Sequence, residues 1–211
     1  MNKKIILFAT LLAFILMNAC EDVYDHVAAP PQANEQETEQ SVSGFNFAKA
    51  WDGNEFGFGQ ATVNANGTAD PGASDSGGNI GVGNPGWYIV VVTTAINGRD
   101  YEFAVDFYPP HVHLQGNVAG GNWGTTDEAY RFTVPALTLG ADASFVSPPF
   151  TNTGEVRASI QLPGHEWWHT EFIVLDGVFA PRGAGDDQER VTGNAGQKLH
   201  INFTTNTGKV E

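Results

Sequence analysis

From Gly44 to the C-terminus, apolar side chains recur at every second position and almost never at every third or fourth. Tyr101, Phe103, Val105 and Phe107 alternate with Glu102, Ala104, Asp106 and Tyr108; Leu199, Ile201 and Phe203 alternate with Lys198, His200, Asn202 and Thr204. A period of two puts one set of side chains on one face of a pleated strand, so these segments read as half-buried strands. Asn97-Gly98 lies between Trp87–Ile96 and Arg99–Phe107, and both residues tolerate positive φ, which predicts a type I′ hairpin. Further strands are expected at Val112–Gln115, Ala129–Val134, Val156–Leu162 and Phe172–Leu175, with Gly, Pro, Asn and Asp clusters between them. The 25 glycines and a charged fraction of only 16% suit such a turn-rich chain. The expected fold class is all-β, built as β-sandwich units in tandem.

An internal echo supports two units. Gly83-Asn84-Pro85-Gly86 before Trp87–Val91 is matched by Gly193-Asn194-Ala195-Gly196 before Gln197–Ile201. Asn97-Gly98 is matched by Thr207-Gly208, and Gly53-Asn54-Glu55-Phe56 stands near the counterpart of Gly164-His165-Glu166-Trp167. The units are placed at 44–108 and 109–211. The first lacks the opening strands that Val112–Val134 supply to the second, so it is expected to pack on its neighbour rather than fold alone.

The N-terminus specifies an address. Lys3 and Lys4 precede an apolar run from Ile5 to Met17, too short for the roughly 20 residues that span a bilayer. The run closes on Leu16-Met17-Asn18-Ala19-Cys20, which resembles the lipobox of bacterial lipoproteins, where the cysteine thiol is acylated. Residues 1–19 are therefore read as a lipoprotein signal peptide and Cys20 as the lipidation site. It is the only cysteine, so no disulfide, thiolate metal site or cysteine nucleophile would remain after acylation. Residues 20–43 are polar and poor in large apolar side chains, as in a flexible acidic tether. Glu21, Asp22 and Asp25 resemble the signal that sends some lipoproteins to the outer face of the outer membrane. Loss of Lys3 and Lys4 with the leader takes the net charge from −14 to −16. Such a chain repels nucleic acid.

His165-Glu166-Trp167-Trp168-His169 matches H-E-x-x-H, the zinc-protease signature, which needs both histidines on one face of a helix. Pro163-Gly164 before it and Phe172-Ile173-Val174-Leu175 after it argue for strand instead, and no Gly-x-x-His follows. The segment reads better as an aromatic platform: indoles stack on the C–H faces of pyranose rings while polar neighbours fix the hydroxyls. Asn122-Trp123-Gly124 has the same composition. If the segment were extended, Trp167 and Trp168 would face opposite ways; otherwise the pair sits on a loop.

Asp70–Asn79 and Asp186–Glu189 are oxygen-rich but lack EF-hand spacing, and are read as solvated loops. His111 and His113 alternate along a strand and are read as surface histidines. No Gly-x-Ser-x-Gly, P-loop or dinucleotide fingerprint is present. No metal site, cofactor or catalytic residue is assigned, although paired glycosidase carboxylates are a spatial feature that one sequence leaves open.

Phe45–Asn54, Gly78-Asn79-Ile80 and Pro85-Gly86-Trp87-Tyr88 resemble the closing half of a SusE/SusF-type module. His113-Leu114-Gln115-Gly116-Asn117 with Gly121-Asn122-Trp123 resembles the opening strand and turn of the next. The resemblance implies a surface lipoprotein of tandem immunoglobulin-like or carbohydrate-binding-module-like units. Such a protein binds starch or another polysaccharide without chemistry, beside other proteins of a glycan-uptake system. It also implies a site of exposed aromatics with a basic side chain. Here the candidates are Trp123 and Trp168, with Trp167 and Tyr130 behind them, and Arg157 and Arg182 as hydroxyl donors. The alternatives are a structural or adhesion lipoprotein without a sugar site, and a zinc metalloprotease using His165–His169.

Overall fold

The computed structural model describes residues 3–9, 44–45, 56–97, 100–137, 143–182 and 185–211. Among them there is no α-helix, only strands, turns and single turns of 3-10 helix. The chain forms two compact units, Met1–Pro109 and Pro110–Glu211.

In the first unit the strands are β1 (Lys3–Ala9), β2 (Gly44–Phe45), β3 (Ala61–Ala65), β4 (Ala73–Ser76), β5 (Asn79–Val82), β6 (Tyr88–Asn97) and β7 (Asp100–Tyr108). They make a four-stranded sheet, β1-β6-β7-β3, and a three-stranded sheet, β2-β5-β4. The apolar run Ile89-Val90-Val91-Val92 is buried throughout, as in a strand covered on both faces. Val90, Val105 and Phe107 pack with Ala69 and Ile80, and Phe56, Phe58 and Val63 close over them. Phe56 stacks on Phe103 with centroids 3.9 Å apart.

The β6–β7 hairpin forms, but its turn is displaced by one residue from the expected one. Asn97 pairs with Asp100, and the Asn97 amide donates to Glu102 Oε1 at 2.7 Å. The connection is therefore 98–99, which lies outside the described residues. Asp70–Asn79 is not an open loop either: it contains the β4–β5 hairpin. Asp75 Oδ1 accepts from the Gly78 amide at 2.7 Å and Asp70 Oδ1 from the Gly72 amide at 2.9 Å. Among the described residues no group of three or more His, Cys, Asp or Glu side chains is gathered for a metal. β1 runs antiparallel along β6, from Lys3 opposite Thr94 to Ala9 opposite Tyr88. Cys20 and the tether lie outside the described residues.

The second unit contains β8 (Val112–Gln115), β9 (Phe145–Val146), β10 (Gly154–Glu155), β11 (Arg157–Ile160), β12 (Glu171–Leu175), β13 (Val178–Pro181), β14 (Thr192–Gly193), β15 (Leu199–Asn202) and β16 (Thr207–Val210). Seven of these form one sheet, β8-β11-β12-β13-β16-β15-β9. Its two edges meet on a single segment. The Phe132 amide donates to Val112 O at the start of β8, and Thr133 exchanges both amide bonds with Val146 on β9. The sheet thus curls round its own core. Phe145, Phe172, Phe179 and Phe203 fill that core edge to face, with centroids 5.0 to 5.9 Å apart. Each buried phenylalanine contributes about 1.5–3 kcal/mol from the area withdrawn from water, and edge-to-face pairing adds about 1 kcal/mol per pair.

The strand expected at Ala129–Val134 is not formed. Asp127 Oδ1 caps a 3-10 turn, Glu128–Tyr130, by accepting from Ala129 N. Only isolated bridges at Arg131 and Thr133 remain of the ladder. The two units share one short ladder. Gly44–Phe45 pairs with β5 as Gly154–Glu155 pairs with β14, and in each unit β5 or β14 leads through Gly-Asn to the next strand, β6 or β15. The Thr207-Gly208 echo does not hold, because those residues open β16 after a turn rather than forming the turn.

His113 is buried, contrary to its reading as a surface residue. It is 3% exposed, and neither ring nitrogen has a hydrogen-bond partner among the described residues. Burial, and after it the neighbouring His111, pushes its pKa from 6.5 down to about 4; Glu128 and Asp127 pull upward and Arg131 downward. The unfolded chain takes the proton at the ordinary value, so the stabilisation is complete above pH 6.5 and is lost as pH falls to about 4. The loss amounts to about 3 kcal/mol at most. Urea unfolding at pH 7 and pH 4.5 checks this: His113→Leu should flatten the pH dependence, and an unchanged slope would contradict it.

Candidate functional site

The second unit has a buried polar face. Opposite residues in a ladder point the same way, and the ladder places Gln115 opposite Arg157, His113 opposite Ser159, and Ser159 opposite Glu171. Their neighbours Leu114, Ala158 and Phe172 point to the other side, into the core. All of the polar residues named are 3% exposed or less, so both faces of this part of the sheet are covered. Gln115 holds the cover in place. Its amide nitrogen donates to Thr125 O at 3.1 Å and to Ser159 Oγ at 3.0 Å, and its oxygen accepts from the Thr125 amide at 3.2 Å.

Trp123 rises from the loop that Gln115 anchors and is 43% exposed. The loop doubles back at Gly116, whose oxygen accepts from the amides of Ala119 and Gly121 and whose amide donates to Asn122 O. Gly116 has φ of 93°, and a Cβ there would stand 2.5 Å from Glu155 O, so no other residue fits.

Trp167 and Trp168 lie on a single 3-10 turn, Trp167–Thr170, and both are half-buried. Thr170 closes the turn: its hydroxyl donates to Trp167 O at 2.8 Å and also to Ile160 O at the end of β11. The H-E-x-x-H reading fails here on geometry. His165 precedes the 3-10 turn, His169 lies within it against the Trp168 ring, and β12 begins at Glu171, so no α-helical face presents the two histidines together.

The indoles converge. The rings of Trp123 and Trp167 are 5.7 Å apart and inclined at 40°. The Arg157 guanidinium is 6.0 Å from the Trp123 centroid, and that of Arg182 is 4.9 Å from Trp168. Tyr130 stands apart, with its hydroxyl over Gly120 in the Trp123 loop; among the described residues it makes no ring pair with Trp123, Trp167 or Trp168.

The two arginines differ in what they can still offer. Arg157 is 2% exposed and its guanidinium is engaged on every nitrogen. Nε donates to Glu155 at 2.8 Å, Nη1 to Glu171 at 2.5 Å and Asp187 at 2.7 Å, and Nη2 to Gln188 O at 3.3 Å. Burial alone would lower its pKa, but the hydrogen bonds to Asp187 and Glu155 and the charge of Glu171 outweigh it and hold the pKa above its ordinary value. The bond from Arg157 in turn holds the Asp187 carboxyl below its usual range. Arg182 is less enclosed: Nη1 donates to Glu171 at 2.9 Å and lies 3.6 Å from Asp187 Oδ1, and Nε donates to Gly185 O at 3.4 Å, while Nη2 has no acceptor among the described residues. Asp187, read from the sequence as part of a solvated loop, is therefore a member of this network. Glu155, Glu171 and Gln115 also escaped the sequence reading. A charge at the head of an apolar strand, as in Glu171-Phe-Ile-Val-Leu, was the available signal.

An all-β unit that displays converging indoles from its loops, with a guanidinium beside them, has the build of a carbohydrate-binding module. The family model described as SusF/SusE starch specific CBMs matches residues 33–104 and 111–209, and the chain belongs to that family. The chain is 40% identical over 163 residues to outer membrane protein SusF of Bacteroides thetaiotaomicron, covering 75% of this chain and 32% of that protein. It is also similar to the crystal structure of SusF from Bacteroides thetaiotaomicron, with a TM-score of 0.64 at 38% identity, over 79% of this chain and 39% of the other. The chain thus spans about a third of the length of the relative it matches.

Gly124 sets the seat of Trp167. Its φ is 69°, and a Cβ would come within 2.7 Å of Trp167 Cδ1. Gly124→Ala should cost about 1–2 kcal/mol from backbone strain and alter the near-ultraviolet circular dichroism of the tryptophans. An unaltered spectrum would show that the indole does not rest on this glycine.

Proposed function

We propose that the protein is a lipid-anchored outer-membrane protein that holds a starch-type glucan at the cell surface, without chemistry, within a glycan-uptake system. The observation that carries this reading is the Trp123–Trp167 pair, inclined at 40° and flanked by Trp168 with Arg182 beside it. Inclined indoles suit a curved chain of sugars better than a flat ribbon, since successive pyranose faces then turn with the platform. Arg182 Nη2 is the hydroxyl donor, and Arg157 supports Trp123 from beneath rather than touching sugar. Membership of a family described by its starch specificity and kinship with an outer membrane protein support the substrate class and the address.

Electrophoresis through gels containing starch, xylan or mannan tests the binding. Retardation by starch is expected. Trp123→Ala and Trp168→Ala should each weaken it at least tenfold, since loss of a stacked ring costs about 1.4 kcal/mol or more. Unchanged mobility in every glycan would contradict the reading. The anchor is tested separately, by mass spectrometry of the mature N-terminus and fractionation of cells. Cys20→Ser should move the protein out of the membrane fraction, and retention there would remove the lipid anchor from the account.

A further inference from the structure

We infer that Glu171 is the positioning residue of the platform: through one carboxylate oxygen it holds both guanidiniums that lie against Trp123 and Trp168. The inference rests on reading the indoles as a glycan surface, but its geometry stands apart from any ligand. Oε1 of Glu171 accepts from Arg157 Nη1 and from Arg182 Nη1. Arg157 faces Trp123 and Arg182 faces Trp168. Glu171 is thus the buried link between the guanidiniums at Trp123 and Trp168, while the exposed Asp187 carboxylate bridges the same two less closely, at 2.7 Å from Arg157 Nη1 and 3.6 Å from Arg182 Nη1.

The backbone explains why this position can do it. Glu171 directly follows the 3-10 turn that carries Trp167 and Trp168, it opens β12, and its oxygen accepts from the Arg182 amide at 3.0 Å. Its main chain is therefore fixed between β11 and the end of β13, and its side chain starts from a fixed Cα. Glu171 is 1% exposed and its second oxygen, Oε2, has no hydrogen-bond partner among the described residues. A fold that only needed to neutralise Arg157 already has Glu155 and Asp187 for that purpose. Carrying a third, fully buried carboxylate costs desolvation, and what it adds is a hydrogen bond to Arg182 at 2.9 Å from a buried acceptor, where the exposed Asp187 comes only within 3.6 Å. A guanidinium held at two points keeps one rotamer, and the indole against it keeps one orientation, so less ordering remains for the ligand to impose.

Glu171→Gln in the full chain, beside Val174→Ala as a variant destabilised on the same strand, separates positioning from stability. Glu171→Gln should bind a starch-type glucan at least tenfold more weakly and change the tryptophan bands in the near-ultraviolet; Val174→Ala should lower the melting temperature yet keep wild-type affinity and bands. Equal loss of affinity in both variants, or unchanged tryptophan bands in Glu171→Gln, would overturn the inference. If the wild-type chain binds no glucan, the functional reading fails while the spectral comparison still decides the role of Glu171. The wild-type protein offers a measurement without any variant. Resolved, slowly exchanging guanidinium proton signals from Arg157 and Arg182, with contacts to the Trp123 and Trp168 rings respectively, are expected; averaged signals without those contacts would overturn it.

Discussion

Taking a guanidinium out of water costs several kcal/mol unless its donors are met and its charge is matched. Arg157 meets both conditions inside a closed set of groups: Glu155, Glu171, Asp187 and the Gln188 carbonyl. These partners come from β10, β12 and the segment before β14, so the network can close only when the strands have paired in the right order. Removing one of these acceptors would leave donors of a buried cation short of a partner. That dependence ties the register of the curled sheet to the arrangement of the loops above it. The same polar face that stiffens the second unit supports the surface that its loops display.

The aromatic core and the polar face divide the work between the two sides of one sheet. On one side, phenylalanines pack edge to face and supply the driving force for folding. On the other, Gln115 fastens the Trp123 loop, and Thr170 fastens the turn that bears Trp167 and Trp168. The indoles stand on turns, but each turn is bonded to a strand end, so a platform built from loops gains the fixed geometry of the sheet. The first unit shares the short ladder that opens this arrangement, β2 with β5 as β10 with β14. Residues 46–55, which follow β2 as β11 follows β10, lie outside the described residues.

Strands whose pattern is local were readable from the residues. Val112–Gln115 and Phe172–Leu175 alternate or run apolar between clear turn formers, and they form where expected, the latter with Glu171 added. Ala129–Val134 misled because its composition suits a strand while Asp127 offers a cap that bends the chain into a 3-10 turn first. The hairpin turn was misplaced by one residue because the pairing of Asn97 with Asp100 extends the ladder beyond the favoured Asn-Gly step. Trp123, Trp167 and Trp168 stood out by their polar and glycine neighbours, and the fold brings the rings of Trp123 and Trp167 within 5.7 Å. The division of labour between Arg157 and Arg182 was not, since it depends on carboxylates 14 and 30 residues away from Arg157. Single charges in apolar strands announce burial, but only the fold tells which of them share a partner.

The most direct measurement is an NMR titration of the mature protein with a maltooligosaccharide, following the indole N–H signals of its five tryptophans. The signals of Trp123, Trp167 and Trp168 should shift together and saturate, while that of the buried Trp87 stays in place. Signals that stay fixed at every glucan concentration, or a shift confined to Trp51 and Trp87, would contradict the platform described above.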